Sequence, residues 1–158
     1  MNDLHVHLRN HWAAACGGLD LAERVARSHR DREAGPALAD LAAQIREDRG
    51  SLGQVMATVG ADHGLLMPLA ARVAERVGRL KPNGHLITRS PVSDVLELEA
   101  MRGAVAAKAA GWDTLLAWCA REPQLPAPRL QELRERADQQ AASLEQIHRQ
   151  VAAALPLG

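Results

Sequence analysis

Apolar residues recur at every third or fourth position through four long stretches of this chain, a spacing that dictates helices with one buried face each. The first stripe is Leu4, Leu8, Trp12, Ala15, Leu19, Ala22, Ala26 and His29. Gly17 and Gly18 interrupt it at about 1 kcal/mol each against alanine, which implies a bend or a close helix contact. The second segment opens at Pro36, suited to a first turn, and stops at Gly60. Its stripe of Leu38, Leu41, Ile45, Asp48, Leu52, Val55 and Val59 contains a carboxylate. The third begins at "SPVSD", where Ser90 or Ser93 can cap the open amides and Pro91 fits the first turn. It carries Leu98, Met101, Val105, Lys108, Trp112, Leu115 and Cys119 before "REPQLPAP" ends it. The fourth starts near Pro128 and presents Leu130, Leu133, Ala137, Ala141, Leu144, His148, Val151 and Leu155.

Between the second and third segments, "MPLAARVAERVGRL" reads as a shorter helix with Pro68 in its first turn. "KPNGHLITR" reads as a tight turn, its angles supplied by Asn83 and Gly84, followed by extended chain. Fifteen helical residues cover about 22 Å and nine extended ones up to about 30 Å, enough to climb helices roughly 36–40 Å long. The expected architecture is therefore all-α: a ferritin-like four-helix bundle with an additional shorter helix in the crossover between helices 2 and 3. Plain up-down-up-down order with an appended fifth helix is the alternative. A single domain over residues 1–158 is long enough for a substantial core. With three Trp and no Phe or Tyr, that core has to be Leu, Val and Ala.

The 19 basic and 19 acidic residues cancel, so no positive field draws the chain to a phosphate backbone, and there is no aromatic platform for single strands. "MNDLHVHLRN" lacks the basic start and apolar run of a signal peptide, and no stretch approaches the roughly 20 apolar residues of a membrane span. The expectation is a cytoplasmic protein with no nucleic-acid or membrane partner. Cys16 and Cys119, far apart and without CxxC spacing, are expected as buried reduced thiols. Gly-x-Ser-x-Gly nucleophile turns and phosphate-cradling glycine loops are missing from the sequence.

"LEQIH", residues 144–148, places Glu145 and His148 three apart, the spacing with which helical bundles present half of a two-metal carboxylate site. Such a site takes one Glu from each of two helices and Glu-x-x-His from each of the other two, because hard or borderline metals want oxygen ligands with an imidazole added to each. In the crossover topology Glu23, Asp48, Glu145 and His148 fall within a slab roughly 8 Å deep. Against a complete site, Gly50 and Ser51 stand where a second histidine would follow Glu47 or Asp48. Glu97 is about a turn and a half too high, Glu99 points off the stripe, and Lys108 brings a cation to the core side. A buried Lys–carboxylate network fits these residues better, because a cation can pair charges that would otherwise be buried alone. His148 itself reads as a core histidine bonded to a neighbour. Asp48, on an apolar stripe, requires a partner. Among His5, His7 and His11, only His7 and His11 can share a helix face.

Residues 78 to 112, "GRLKPNGHLITRSPVSDVLELEAMRGAVAAKAAGW", resemble the signature of a family of uncharacterised bacterial helical proteins with a ferritin-like bundle fold. The resemblance is carried by Gly78 to Leu80, Lys81, Asn83, Gly84, Ser90, Pro91, Ser93, Glu97 to Glu99, Gly103, Lys108 and Trp112. It implies the bundle fold and makes the Glu and Lys of the third helix distinctive. It implies no substrate, cofactor or catalytic residue.

The expected function is non-enzymatic: a module that binds itself, as a homodimer, or another protein, through its Ala-rich faces with Trp12 or Trp118. Its metal-free polar core of Asp48, Lys108 and His148 would fix helix register. The alternative is a di-iron or di-manganese carboxylate protein, an oxidase or metal store, with a degenerate site drawn from Glu23, Asp48, Glu97, Glu145 and His148. A third class is a carrier of an apolar ligand, which an unfilled cavity lined by Ala and Leu would mark.

Overall fold

A computed structural model describes residues 2–62 and 91–156 of the chain. Four helices account for almost all of them: α1 (Asp3–Ser28), α2 (Gly35–Thr58), α3 (Pro91–Trp118) and α4 (Ala127–Ala153). Each lies within two residues of the segment expected from its apolar stripe. The expected fifth helix, the KPNG turn and the Ser90 cap lie outside the described residues.

The helix ends follow local chemistry. Asn2 caps α1, its side-chain oxygen accepting from Leu4 N at 2.9 Å, and satisfies an amide that the first turn leaves open. After α2 the chain turns at Gly60 with φ +69°, a left-handed angle that glycine adopts without a Cβ penalty. Proline occupies the first turn of both α2 and α4. Gly17 and Gly18 do not break α1, which is continuous through them. A Cβ on Gly18 would lie 3.9 Å from that of Ala104 on α3, an ordinary van der Waals distance.

Side-chain pairings fix the directions. Arg46 meets Glu23 and the Val59 carbonyl meets His5, so α2 runs antiparallel to α1. Arg24 meets Glu97 and Gly111 packs on His11, so α3 is also antiparallel to α1. Asp113 pairs with Arg134 and Arg102 with His148, making α4 antiparallel to α3. The helices therefore stand in the order α1, α2, α4, α3 around the bundle, with α2 and α3 parallel across a diagonal. Residues 62 and 91 lie at opposite ends.

The core has two apolar halves. One gathers Leu4, Leu8, Leu52, Trp112, Leu130 and Leu133 with their neighbours, the other Val25, Leu38, Leu98, Met101, Val105 and Leu144 with theirs. Of the expected stripe residues, Ala141 is exposed, and Gln140 is buried in its place. Cys16 and Cys119 are free thiols, half-buried where full burial was expected.

The turn joining α1 to α2 is tightly built. A Cβ on Gly35 would fall 2.5 Å from the His29 carbonyl oxygen and 2.7 Å from that of Arg30, both backbone atoms that cannot swing aside. Gly35→Ala is expected to cost about 1–3 kcal/mol in urea unfolding, as overpacking does. Gly50→Ala, where a Cβ meets nothing within 4 Å, should instead gain up to about 1 kcal/mol of helix propensity. Equal effects at the two sites would contradict this packing.

Candidate functional site: a polar layer beside an interhelical cavity

Between the two apolar halves lies a layer of polar residues, one from each of three helices. Asp48 on α2 and Gln140 on α4 are buried to 2% and 1% exposure, and Lys108 reaches in from α3. Its ammonium crosses the bundle diagonal and donates to Asp48 Oδ2 at 2.5 Å and to Gln140 Oε1. Gln140 Nε2 donates to the same Asp48 oxygen at 3.0 Å and to Gln44 Oε1 at 3.3 Å. Asp48 Oδ1 is ion-paired with Arg136 Nη2 at 2.7 Å, and Arg136 Nη1 also donates to Glu47 at 3.0 Å. Both oxygens of the buried carboxylate are thus matched by cations or donors, which is what makes its burial tolerable. Burial pushes the Lys108 ammonium below the ordinary lysine value; Asp48 raises it again by charge and hydrogen bond, and Arg136 lowers it.

Helix α1 contributes no long polar residue at this level. It has alanines and glycines there, and a cavity of about 210 Å³ opens between α1, α2 and α3. Leu8, Ala15, Leu52, Met101, Val105 and Leu115 supply much of its apolar wall, with Lys108 and Asp48 beside them. His7 and His11 line it as well, their rings 4.4 Å apart and tilted by 50°. His7 also meets Trp118 edge-on at 5.0 Å. A Cβ on Gly111 would sit 2.6 Å from the His11 ring, so glycine there is what lets that imidazole lie against α3.

Burial pushes the pKa of both imidazoles below the ordinary histidine value, opposed at His7 by a bond to the Gly111 backbone and reinforced at His11 by the charge of His7. The unfolded chain therefore binds these protons first. The stability contribution is fully present above the unfolded pKa, about 6.5, and is lost as pH falls through the lowered folded values. The urea midpoint is expected to fall between about pH 7 and pH 5, and His11→Gln should flatten that slope. A midpoint that rises on acidification would contradict it.

The structure distributes the residues suggested as metal ligands among separate ion pairs. Glu23 meets Arg46 at 2.7 Å and Arg27 at 3.9 Å; Glu97 meets Arg24 at 3.2 Å. Glu145 is paired with Arg149, one turn along α4 on the surface. His148 accepts from Arg102 at 3.3 Å through Nδ1, with its Nε2 3.5 Å from Glu99. Among the described residues no group of three or more His, Cys, Asp or Glu is placed to hold a metal ion. Each of the five stands beside an arginine or lysine, and His148 is also near Glu99. Of the expected polar core, Asp48 and Lys108 come together, whereas His148 lies about 12 Å along α4 from Gln140.

Gln140 and Arg136 were not anticipated, and a cavity was considered only as the mark of an apolar-ligand carrier, with no position assigned to it. Gln140 is three residues after Ala137 and four before Leu144, on the buried stripe by spacing alone; the neighbouring Ala141 took its place only because alanine is apolar. No signal in the sequence marks the cavity, which is defined by atoms that are missing.

A second buried polar group closes the far end. His29, fully buried, has Nδ1 at 3.0 Å from the Val25 carbonyl and Nε2 at 3.9 Å from Asp94, which Arg32 also contacts. It ties the α1–α2 turn to the start of α3.

Among the described residues no helix is long and apolar enough to cross a membrane. Comparison with family models, with curated proteins and with solved structures found no match to this chain.

Proposed function

We propose that the protein is a non-enzymatic, ferritin-like helical-bundle binding module that takes up a small, largely apolar molecule between α1, α2 and α3. The observation that carries this is the cavity of about 210 Å³. The space is a partly open pocket between helices, largely apolar with a few polar groups, as small-molecule sites are, and apolar cavities of comparable size take up small hydrocarbons. The polar layer is a structural part of this reading: a buried ionic level between two apolar halves fixes the register of α2, α3 and α4, because sliding any of these three by a turn would leave Asp48 short of a partner. The parallel course of α2 and α3 supports the ferritin-like resemblance. A self- or partner-binding role is compatible with uptake.

Calorimetric titration with 1-octanol tests it. Saturable binding is expected, weakened at least tenfold in Ala15→Leu, whose added carbons fill the cavity. Identical isotherms for wild type and variant, or none at all, would overturn the reading. The metalloprotein alternative has its own check: protein grown with iron and manganese supplied should carry far less than the about two equivalents of a filled site. Near two equivalents, lost on Glu145→Ala or His148→Ala, would restore it.

A further inference from the structure

We infer that the molecule taken up is a monoanion, a carboxylate whose apolar body has about eight heavy atoms, and that Arg49 is the residue that reads its charge. This rests on the uptake reading above and names the class of ligand.

The charged residues lining the cavity are Asp48, Arg49 and Lys108. Asp48 and Lys108 neutralise each other within the polar layer. That leaves the positive charge of Arg49. The other arginines of α1, α2 and the turn between them, namely Arg9, Arg24, Arg27, Arg30, Arg32 and Arg46, each stand beside a carboxylate. Arg49, half-buried on α2, has none among the described residues; its contact is with the Trp12 ring, 5.8 Å from the guanidinium carbon to the centroid. A guanidinium over an aromatic face keeps its in-plane N–H donors, and their fork matches a carboxylate with two parallel bonds. A second unsatisfied donor belongs to another lining residue. Trp112 also lines the cavity, is 3% exposed, and its Nε1–H has no acceptor among the described residues. Because α2 and α3 are parallel and Asp48 is level with Lys108, Arg49 and Trp112 are within about one turn of the same height.

Volume sets the body. A 150 Å³ cavity accommodates benzene, so about 210 Å³ corresponds to roughly eight heavy atoms. The lining runs from His7 to Gly18 on α1, about 16 Å along the helix axis, which favours a chain-like body over a compact one.

Octanoate and 1-octanol are the probes, titrated calorimetrically into the full-length wild type, Arg49→Gln and Arg49→Lys at low salt. Thermal unfolding of each variant confirms that this half-exposed position leaves the fold intact. Octanoate is expected to bind wild type at least tenfold tighter than octanol. Arg49→Gln should erase that preference while octanol binding stays within twofold, and Arg49→Lys should keep part of it. Equal binding of both probes to wild type would overturn the anion inference and leave the uptake reading standing. A preference that survives in Arg49→Gln would overturn the role of Arg49. Binding of neither probe would end both readings.

Discussion

Replacing Lys108 by methionine is expected to destabilise the protein by about 3 kcal/mol, at the low end of what breaking a buried ion pair costs. The stem of the side chain is conserved in volume, so the loss is chiefly the ammonium. Its removal takes from Asp48 Oδ2 the charged donor at 2.5 Å and from Gln140 Oε1 its hydrogen-bond donor. Arg136, which still faces Asp48 Oδ1 at 2.7 Å, keeps the loss from being larger. The effect is one of stranding, and the fully apolar replacement separates it from any intrinsic worth of the pair. Asp48→Leu, Lys108→Met and Gln140→Leu together should recover most of the lost stability, since well-packed apolar groups often match a buried ionic cluster. Urea unfolding checks both variants. A single Lys108→Met with no loss would show that Lys108 does not hold this layer together.

Leu8→Ala is expected to cost about 3–5 kcal/mol. Leu8 is fully buried in one apolar half and also lines the cavity. Its truncation merges new void with existing void, and the surroundings collapse least where a hole is already held open by helices on three sides. The same substitution should accept longer ligands. In the presence of a saturating amphiphile the variant should regain stability in proportion to the logarithm of ligand concentration over dissociation constant. Thermal melts with and without decanoate read both effects. A loss below about 1 kcal/mol, below the range for buried leucines, would mean that Leu8 is not packed as described.

The four helices were legible because each has a wide apolar stripe, and stripe length sets helix length. The charged members of those stripes were legible for the same reason: Asp48 and Lys108 stood where only apolar residues should, and each needed the other. What spacing cannot give is which helices are neighbours. Glu23, Asp48, Glu145 and His148 were grouped by height along the bundle, but the partners that Glu23 and Glu145 take, Arg46 and Arg149, are set by rotation about each helix axis. That rotation follows from packing of the whole bundle, and a height count carries none of it. His148 shows the same limit: on the stripe by spacing, it turns to Arg102 and Glu99 at the seam with α3. The cavity was illegible for a different reason. Ala14, Ala15 and Gly18 read as good packing residues, and Gly18 does meet Ala104 at van der Waals distance. Beside that contact, the same small side chains leave the space that α2 and α3 do not fill.

The most direct measurement is a methyl NMR titration of the isotopically labelled protein with 1-octanol. Saturable shifts are expected at Met101, Val105 and Leu115, in the cavity wall, and are expected to vanish in Ala15→Leu. Shifts confined to Val92 and Leu96, the exposed apolar pair at the start of α3, or no saturable shift at all, would contradict the account of this bundle as a ligand-binding module.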